Sequence, residues 1–324
     1  MAPIVITGAA GFIGSRIARR LYERGDEVVA IVRDPARADA LRDLGVRLVA
    51  GDLSDQADIR RVVAGAGAVI HGAGVYHIGI PVSERPAMYD ANVAATERVL
   101  DAAIAEGVGR IVHLSTVNAF GDTRGIPRDE TFQRDPADGF VSYYDETKYL
   151  AHRAAEKRIA AGAPIVVVMP GTVYGPGDHS AAGAQLKAAF DGTARYLAMT
   201  HLGISPAHVD DIASGIVAAL DHGRIGQAYV LCGTNMRLGE AMAIAAAAGG
   251  RRLPRLTVPV GLLRLTARIL PGGGRLLGVR PNLGELIRAS DGVTYWANHG
   301  KATAELGYSP RDLETGARDA FGPG

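Results

Sequence analysis

Ile4-Val5-Ile6-Thr7-Gly8-Ala9-Ala10-Gly11-Phe12-Ile13-Gly14 is a short apolar run followed by a turn holding three glycines. Ser15-Arg16-Ile17-Ala18-Arg19-Arg20-Leu21 continues it with the composition of a helix. In a strand–turn–helix unit of this kind, the helix starting at Phe12 and Ile13 presents free N–H groups and the positive end of its dipole. A pyrophosphate can sit there. Gly8 permits the tight turn, Gly11 lets the backbone approach the phosphates, and Gly14 lets helix and strand pack closely. The unit predicts dinucleotide binding.

The composition narrows the remaining classes. At 324 residues, 48% hydrophobic and 21% charged, the chain has length for a sizeable core in one large or two modest domains. Lys+Arg 35 against Asp+Glu 34 leaves a net charge of +1, so no global field recruits nucleic acid or an anionic membrane. Cys232 is the only cysteine, which excludes an intramolecular disulfide and a multi-thiolate metal site; it reads as a buried structural residue. No signal-peptide pattern and no run of 18 apolar residues is present, and a cytoplasmic location is expected.

Working outward from the glycine turn, strands are predicted at Ile4–Thr7, Val28–Val32, Arg47–Ala50, Ala68–His71, Arg110–Ser115 and Ile165–Met169. Between them lie helical stretches near Phe12–Arg24, Ala36–Leu44, Asp55–Ala64, Arg85–Glu106 and Ser142–Ala161. Near-continuous Val/Ile strands alternating with helices indicate an α/β fold. Its parallel sheet is covered on both faces and doubly wound, with ligands outside the carboxyl ends of the strands. After Pro170 the rhythm changes. Helices are predicted at Ala181–Phe190, Ala207–Leu220, Leu238–Ala248 and Val260–Leu270, with a strand at Ala228–Leu231 and a break at Pro271–Gly274. The expected division is a dinucleotide-binding domain over 1–170 and a smaller, mostly helical substrate-binding region over 171–324, partly interleaved with it.

Two further patterns carry chemistry. Tyr144-Asp145-Glu146-Thr147-Lys148 opens a predicted helix, so Tyr144 and Lys148 share a face. A nearby cation is expected to lower the phenol's pKa and equip Tyr144 as a general acid–base. The chain has only four lysines, so a chance register is uncommon. At the end of the Arg110–Ser115 strand, Ser115-Thr116 places hydroxyls where such folds hold their ligands.

Together these motifs resemble the extended short-chain dehydrogenase/reductase family, over nearly the whole chain. The resemblance implies a Rossmann sheet, with Thr116 bonding the substrate oxygen, Tyr144 transferring the proton, and Lys148 binding the nicotinamide ribose. It assigns Asp52 and Leu53 to the adenine, Ala73 and Gly74 to the strand end beneath the cofactor, and Asn92 to support of the site. Pro170 and Val173 belong to the loop at the nicotinamide. NAD-specific relatives end the second strand with an acid; here that position is Val32, followed by Arg33, whose guanidinium suits a 2′-phosphate. NADP is therefore expected in preference to NAD. A homodimer formed through the Arg85–Glu106 and Ser142–Ala161 helices is also expected.

Within the family, dehydratases carry an acidic pair just after the threonine, where this chain has Val117 and Asn118. Epimerases usually place an asparagine where Thr172 stands. The pattern resembles the dihydroflavonol-reductase branch, and implies hydride exchange with a ketone or secondary alcohol of a small molecule. Candidate substrate contacts are Tyr76, His77, Asn118, Thr172 and Tyr174. A sugar or sugar-nucleotide epimerase and a non-catalytic dinucleotide sensor remain as alternatives.

Overall fold

A computed structural model describes residues 2–259 and 282–322. The helix expected at Val260–Leu270 and the break at Pro271–Gly274 lie outside the described residues. Strands occupy Ile4–Thr7 (β1), Val28–Val32 (β2), Arg47–Ala50 (β3), Ala68–His71 (β4), Ile111–Leu114 (β5), Ile165–Pro170 (β6), Thr172–Tyr174 (β7), Gly203–Ile204 (β8), Pro206–His208 (β9), Ala228–Leu231 (β10) and Met236–Arg237 (β11). Helices occupy Phe12–Glu23 (α1), Asp39–Leu44 (α2), Gln56–Val63 (α3), Arg85–Tyr89 (α4), Ala95–Ala105 (α5), Tyr143–Ala160 (α6), Ala181–Asp191 (α7), Val209–His222 (α8), Leu238–Ala248 (α9), Leu283–Ser290 (α10), Gly300–Leu306 (α11) and Leu313–Phe321 (α12).

Seven strands form one parallel sheet in the order β10-β6-β5-β4-β1-β2-β3. The chain works outward from β1 to β3, then returns to β4 on the other side of β1, so a crevice opens above the carboxyl ends of β1 and β4. Apolar runs such as Ile4–Thr7 and Ile165–Pro170 are buried throughout because helices cover both faces. On one face Ile17 and Leu21 of α1 and Ile212 and Ile216 of α8 pack on Ile6, Ile70 and Val112. On the other, Ile59, Leu100 and Ala155 of α3, α5 and α6 pack on Val5, Val69 and Ile111. Beyond Pro170, α7, α9 and α12 build a third cluster around Leu186, Met242 and Leu313, yet β10 returns to the main sheet beside β6. No helix among the described residues is long and apolar enough to cross a membrane.

Three expected boundaries are corrected. The helix read as Arg85–Glu106 is interrupted by a π-helical turn at Asp90–Ala94 between α4 and α5. The wider turn carries Asn92, whose bonds to a neighbouring loop compensate for the looser backbone. The helix read from Ala207 starts at Val209, because Ala207 and His208 pair with Val173 and Tyr174 as β9. The strand read as Arg110–Ser115 is confined to Ile111–Leu114; Ser115 follows it, with its N–H still bonded to the Val168 carbonyl at 2.8 Å.

Close packing at the first turn generates a stability prediction. A Cβ on Gly14 would lie 2.1 Å from the Gly8 carbonyl oxygen, whereas one on Gly109 meets nothing within 4 Å. Gly14→Ala should therefore cost about 2 kcal/mol in urea unfolding. Gly109→Ala should change stability little.

Candidate active site

The cofactor cradle begins at Gly8, whose φ of +76° and whose approach to Ala73 exclude any side chain; a Cβ there would lie 2.7 Å from the Ala73 nitrogen. Gly11, exposed, is the N-cap of α1 and supplies no side-chain cap, and the first turn of α1 carries no acid. Elsewhere Asp55, Ser142 and Ser180 cap α3, α6 and α7 with their own side chains. The first turn of α1 is thus left without a side-chain cap, and its positive dipole end suits an anion such as a dinucleotide pyrophosphate.

The remaining cofactor candidates lie at or beyond the carboxyl ends of β2, β3, β4 and β6. Arg33 is exposed beyond the carboxyl end of β2, after the buried Val32. Asp52 is exposed, and its carboxylate accepts the Ser54 N–H at 2.9 Å, a turn bond of its own. The Leu53 carbonyl accepts from Arg98 at 2.7 Å. The Ala73 N–H donates to the Thr7 hydroxyl at 3.3 Å, and Gly74 is exposed beside Asn92. Pro170 ends β6, and Val173 is half-buried on β7.

Thr116 follows β5 and Tyr144 lies in the first turn of α6, held there by the Ser142 cap on the Asp145 N–H at 3.1 Å. The Thr116 hydroxyl is near enough to the Tyr144 phenol to favour its ionised form slightly. Thr116 also lies 3.3 Å from the Pro170 carbonyl and 3.2 Å from Asn118 Oδ1. Lys148 shares the helix face with Tyr144, but its ammonium donates to the Leu114 carbonyl at 3.1 Å.

The expectation that Lys148 lowers the Tyr144 pKa is overturned. Burial pushes the phenol well above its ordinary value, Tyr76 and Asp145 add to the rise, and the nearby Thr116 hydroxyl only partly offsets it. Burial brings Lys148 down to about 8. Desolvation acts against both charged forms. Burial thus favours the neutral phenol of Tyr144.

Asn92 does not reach this group. Its amide bonds both the N–H and carbonyl of Val75, at 2.7 and 3.0 Å, and the Thr147 hydroxyl at 3.0 Å. It therefore ties segment 72–77 to α6 and acts as a positioning residue. That segment presents Tyr76, 51% exposed, edge-on to the Tyr144 ring at 4.7 Å, with the exposed His77 beside it. Thr172 is half-buried on β7. Tyr174 departs from its expected place on the pocket wall. It is 1% exposed, packed against His208 and Phe321, with its hydroxyl where Gly316 leaves room.

Asp145 is a site residue that the sequence reading passed over. It is fully buried, accepts from Asn118 at 2.9 Å and from Tyr295 at 3.0 Å, and burial raises it to about 6. An acid in a helix's first turn reads as an exposed dipole partner. Nothing local announces that Tyr295 will close over it.

A dinucleotide cradle whose crevice holds a threonine, a neutral tyrosine and a lysine defines an NAD(P)-dependent oxidoreductase. The sequence profile of the NAD dependent epimerase/dehydratase family matches residues 4–232, and the chain belongs to that family. A Synechocystis protein named for dihydroflavonol 4-reductase is 30% identical over 97% of this chain and 92% of its own length. The crystal structure of gox2253 superposes with a TM-score of 0.84 at 30% identity, covering 99% of this chain and 97% of that one. A UDP-glucuronic acid 4-epimerase from Bacillus cereus shares the fold, with a TM-score of 0.78 at 20% identity over 98% of both chains.

The depressed Lys148 makes a signed prediction. Its charged form costs stability below pH 8 or so, and the cost is relieved as pH rises from about 8 towards the unfolded value of 10.5. Lys148→Met should therefore stabilise the fold by roughly 1–2 kcal/mol at pH 7, after allowing for the lost bond to Leu114. The gain should shrink when unfolding is measured near pH 10.

Proposed function

We propose that the chain is an NADP-dependent reductase that delivers a hydride to the ketone of a small, largely apolar substrate, with Tyr144 as proton donor. The observation that carries this reading is the buried Thr116 after β5, linked through Asn118 to Asp145 beside the buried Tyr144, whose phenol burial keeps neutral. A neutral phenol suits reduction, because addition of hydride to the carbonyl carbon leaves an oxygen basic enough to take the phenol's proton. Thr116 orients that oxygen, and Lys148 stabilises the phenolate left behind. A reduced nicotinamide would supply the hydride when bound, and Gly8, Gly11, Phe12, Ile13, Gly14 and Arg33 would hold its dinucleotide. Val117 and Asn118 offer no acid–base pair for dehydration, and the Asn118 amide is already engaged by Asp145. Relatives named 2-alkyl-3-oxoalkanoate reductase and 3-beta-hydroxysteroid dehydrogenase support an apolar carbonyl or alcohol substrate.

The test is NADPH consumption against dihydroflavonol, 3-oxoalkanoate and ketosteroid probes. Product should form one for one with NADPH oxidised, and Tyr144→Phe should lower kcat by a factor of about 100 or more. Turnover of a sugar nucleotide with no net change in cofactor would establish epimerisation instead. Arg33→Ala should reduce the NADPH-over-NADH preference roughly tenfold through loss of a charge-assisted bond; an unchanged preference refutes the cofactor assignment.

A further inference from the structure

Asp145 stands in the first turn of α6 beside Tyr144, and both of its carboxylate oxygens are engaged. Oδ1 accepts the side-chain N–H of Asn118 at 2.9 Å, and Oδ2 accepts the Tyr295 hydroxyl at 3.0 Å. The Ser142 hydroxyl accepts the Asp145 N–H at 3.1 Å and fixes the turn that carries it. None of the residue meets solvent. Burying a carboxylate is costly, and polar groups from three separate parts of the chain are committed to this one.

The carboxylate orders the pair next to it. An ionised carboxylate only accepts hydrogen bonds, so it draws the NH2 end of the Asn118 amide and turns Oδ1 away. Oδ1 faces Thr116, whose hydroxyl donates to it at 3.2 Å, while the Asn118 backbone N–H donates to the Thr116 oxygen at 3.3 Å. The Pro170 carbonyl, 3.3 Å from Thr116 Oγ1, is a second acceptor for the hydroxyl proton. So arranged, Asn118 fills one of the two lone pairs of the Thr116 oxygen. An amide turned the other way would set a second N–H on that oxygen and fill both.

We propose that Asp145 is a positioning residue for the reaction: its carboxylate, held by Tyr295, locks the Asn118 amide so that Thr116 keeps one lone pair for the substrate oxygen. The inference rests on the reductase reading above, in which Thr116 orients that oxygen. The ketone oxygen first accepts a hydrogen bond from Thr116. Hydride then adds to the carbonyl carbon, the Tyr144 O–H bond breaks as the alkoxide takes its proton, and the new hydroxyl donates into the open lone pair. Protonation of Asp145 releases the lock, because a carboxylic acid both donates and accepts and no longer selects one end of the amide. Burial raises that titration to about 6, against the opposing bonds from Asn118, Tyr295 and Ser142 and the charge of Arg134 in the preceding loop. Tyr144 adjoins the carboxylate, and Tyr76 and Asp122 act on Tyr295 behind it.

Two measurements on the full chain test the role. In the protein without cofactor, the Asn118 side-chain N–H signals, assigned by their loss in Asn118→Leu, should shift with a midpoint of about 6. Asp145→Asn should abolish that shift. Tyr295→Phe, which removes a donor to the carboxylate, should raise the midpoint by roughly half a pH unit or more. Asn118 signals that ignore pH, or that titrate unchanged in Asp145→Asn, overturn the lock whatever the activity. In steady-state reduction of a responsive carbonyl probe, wild-type kcat should fall as pH drops below about 6. Asp145→Asn should lower kcat roughly tenfold near neutral pH and flatten that acid limb, with a smaller change in KM, and Tyr295→Phe should move the limb to higher pH. A residue serving the fold alone would lower activity without moving the limb. A wild-type kcat in Asp145→Asn, or an acid limb that survives the substitution, refutes the assignment. A titrating Asn118 with no carbonyl reduced by the wild type would instead bear out the lock and overturn the reductase reading.

Discussion

The backbone at Gly8 passes so close to Gly72 and Ala73 that no side chain fits between them. Much else follows from that contact. It holds the ends of β1 and β4 together at the point where the strand order reverses, while Gly14 lets α1 settle onto the same turn. The helix end is left bare, and a bare helix end beside a reversal in strand order is an anion site with a crevice behind it. The proposed catalytic groups arrive separately, after β5 and on α6, and are registered against this cradle by the sheet.

Desolvation decides the chemistry once they arrive. A cation next to a tyrosine is ordinarily read as a device for ionising it. In this site the loss of water moves both groups towards neutrality. Asp145 shows the same force on an acid, softened by bonds from Asn118 and Tyr295. The result is a buried cluster whose tyrosine is neutral, which matches the proposed role of proton donor.

The sheet strands, the glycine turn and the Thr116/Tyr144/Lys148 grouping were legible in the chain because each rests on a local rule: alternation, a turn's steric demand, or helical spacing. What escaped depended on distant partners. Tyr174 reads as a loop aromatic near the nicotinamide, and only the lack of a side chain at Gly316, far downstream, draws it into the core. Asp145 becomes a buried acid only when Tyr295 folds over it. The sign of the Tyr144 shift was misjudged because spacing reports proximity, whereas burial depends on the whole fold.

The π-helical turn at Asp90–Ala94 has a mechanical implication. One extra residue in a helix swings Asn92 round to clasp the backbone of Val75, and that clasp uses no side chain of the loop it holds. The same amide bonds Thr147 of α6, so the backbone of the loop is fixed to the helix that bears Tyr144. Tyr76, whose ring meets Tyr144 edge-on, is thereby carried on a segment tied to its partner's own helix. The irregular turn makes loop and helix move as one piece.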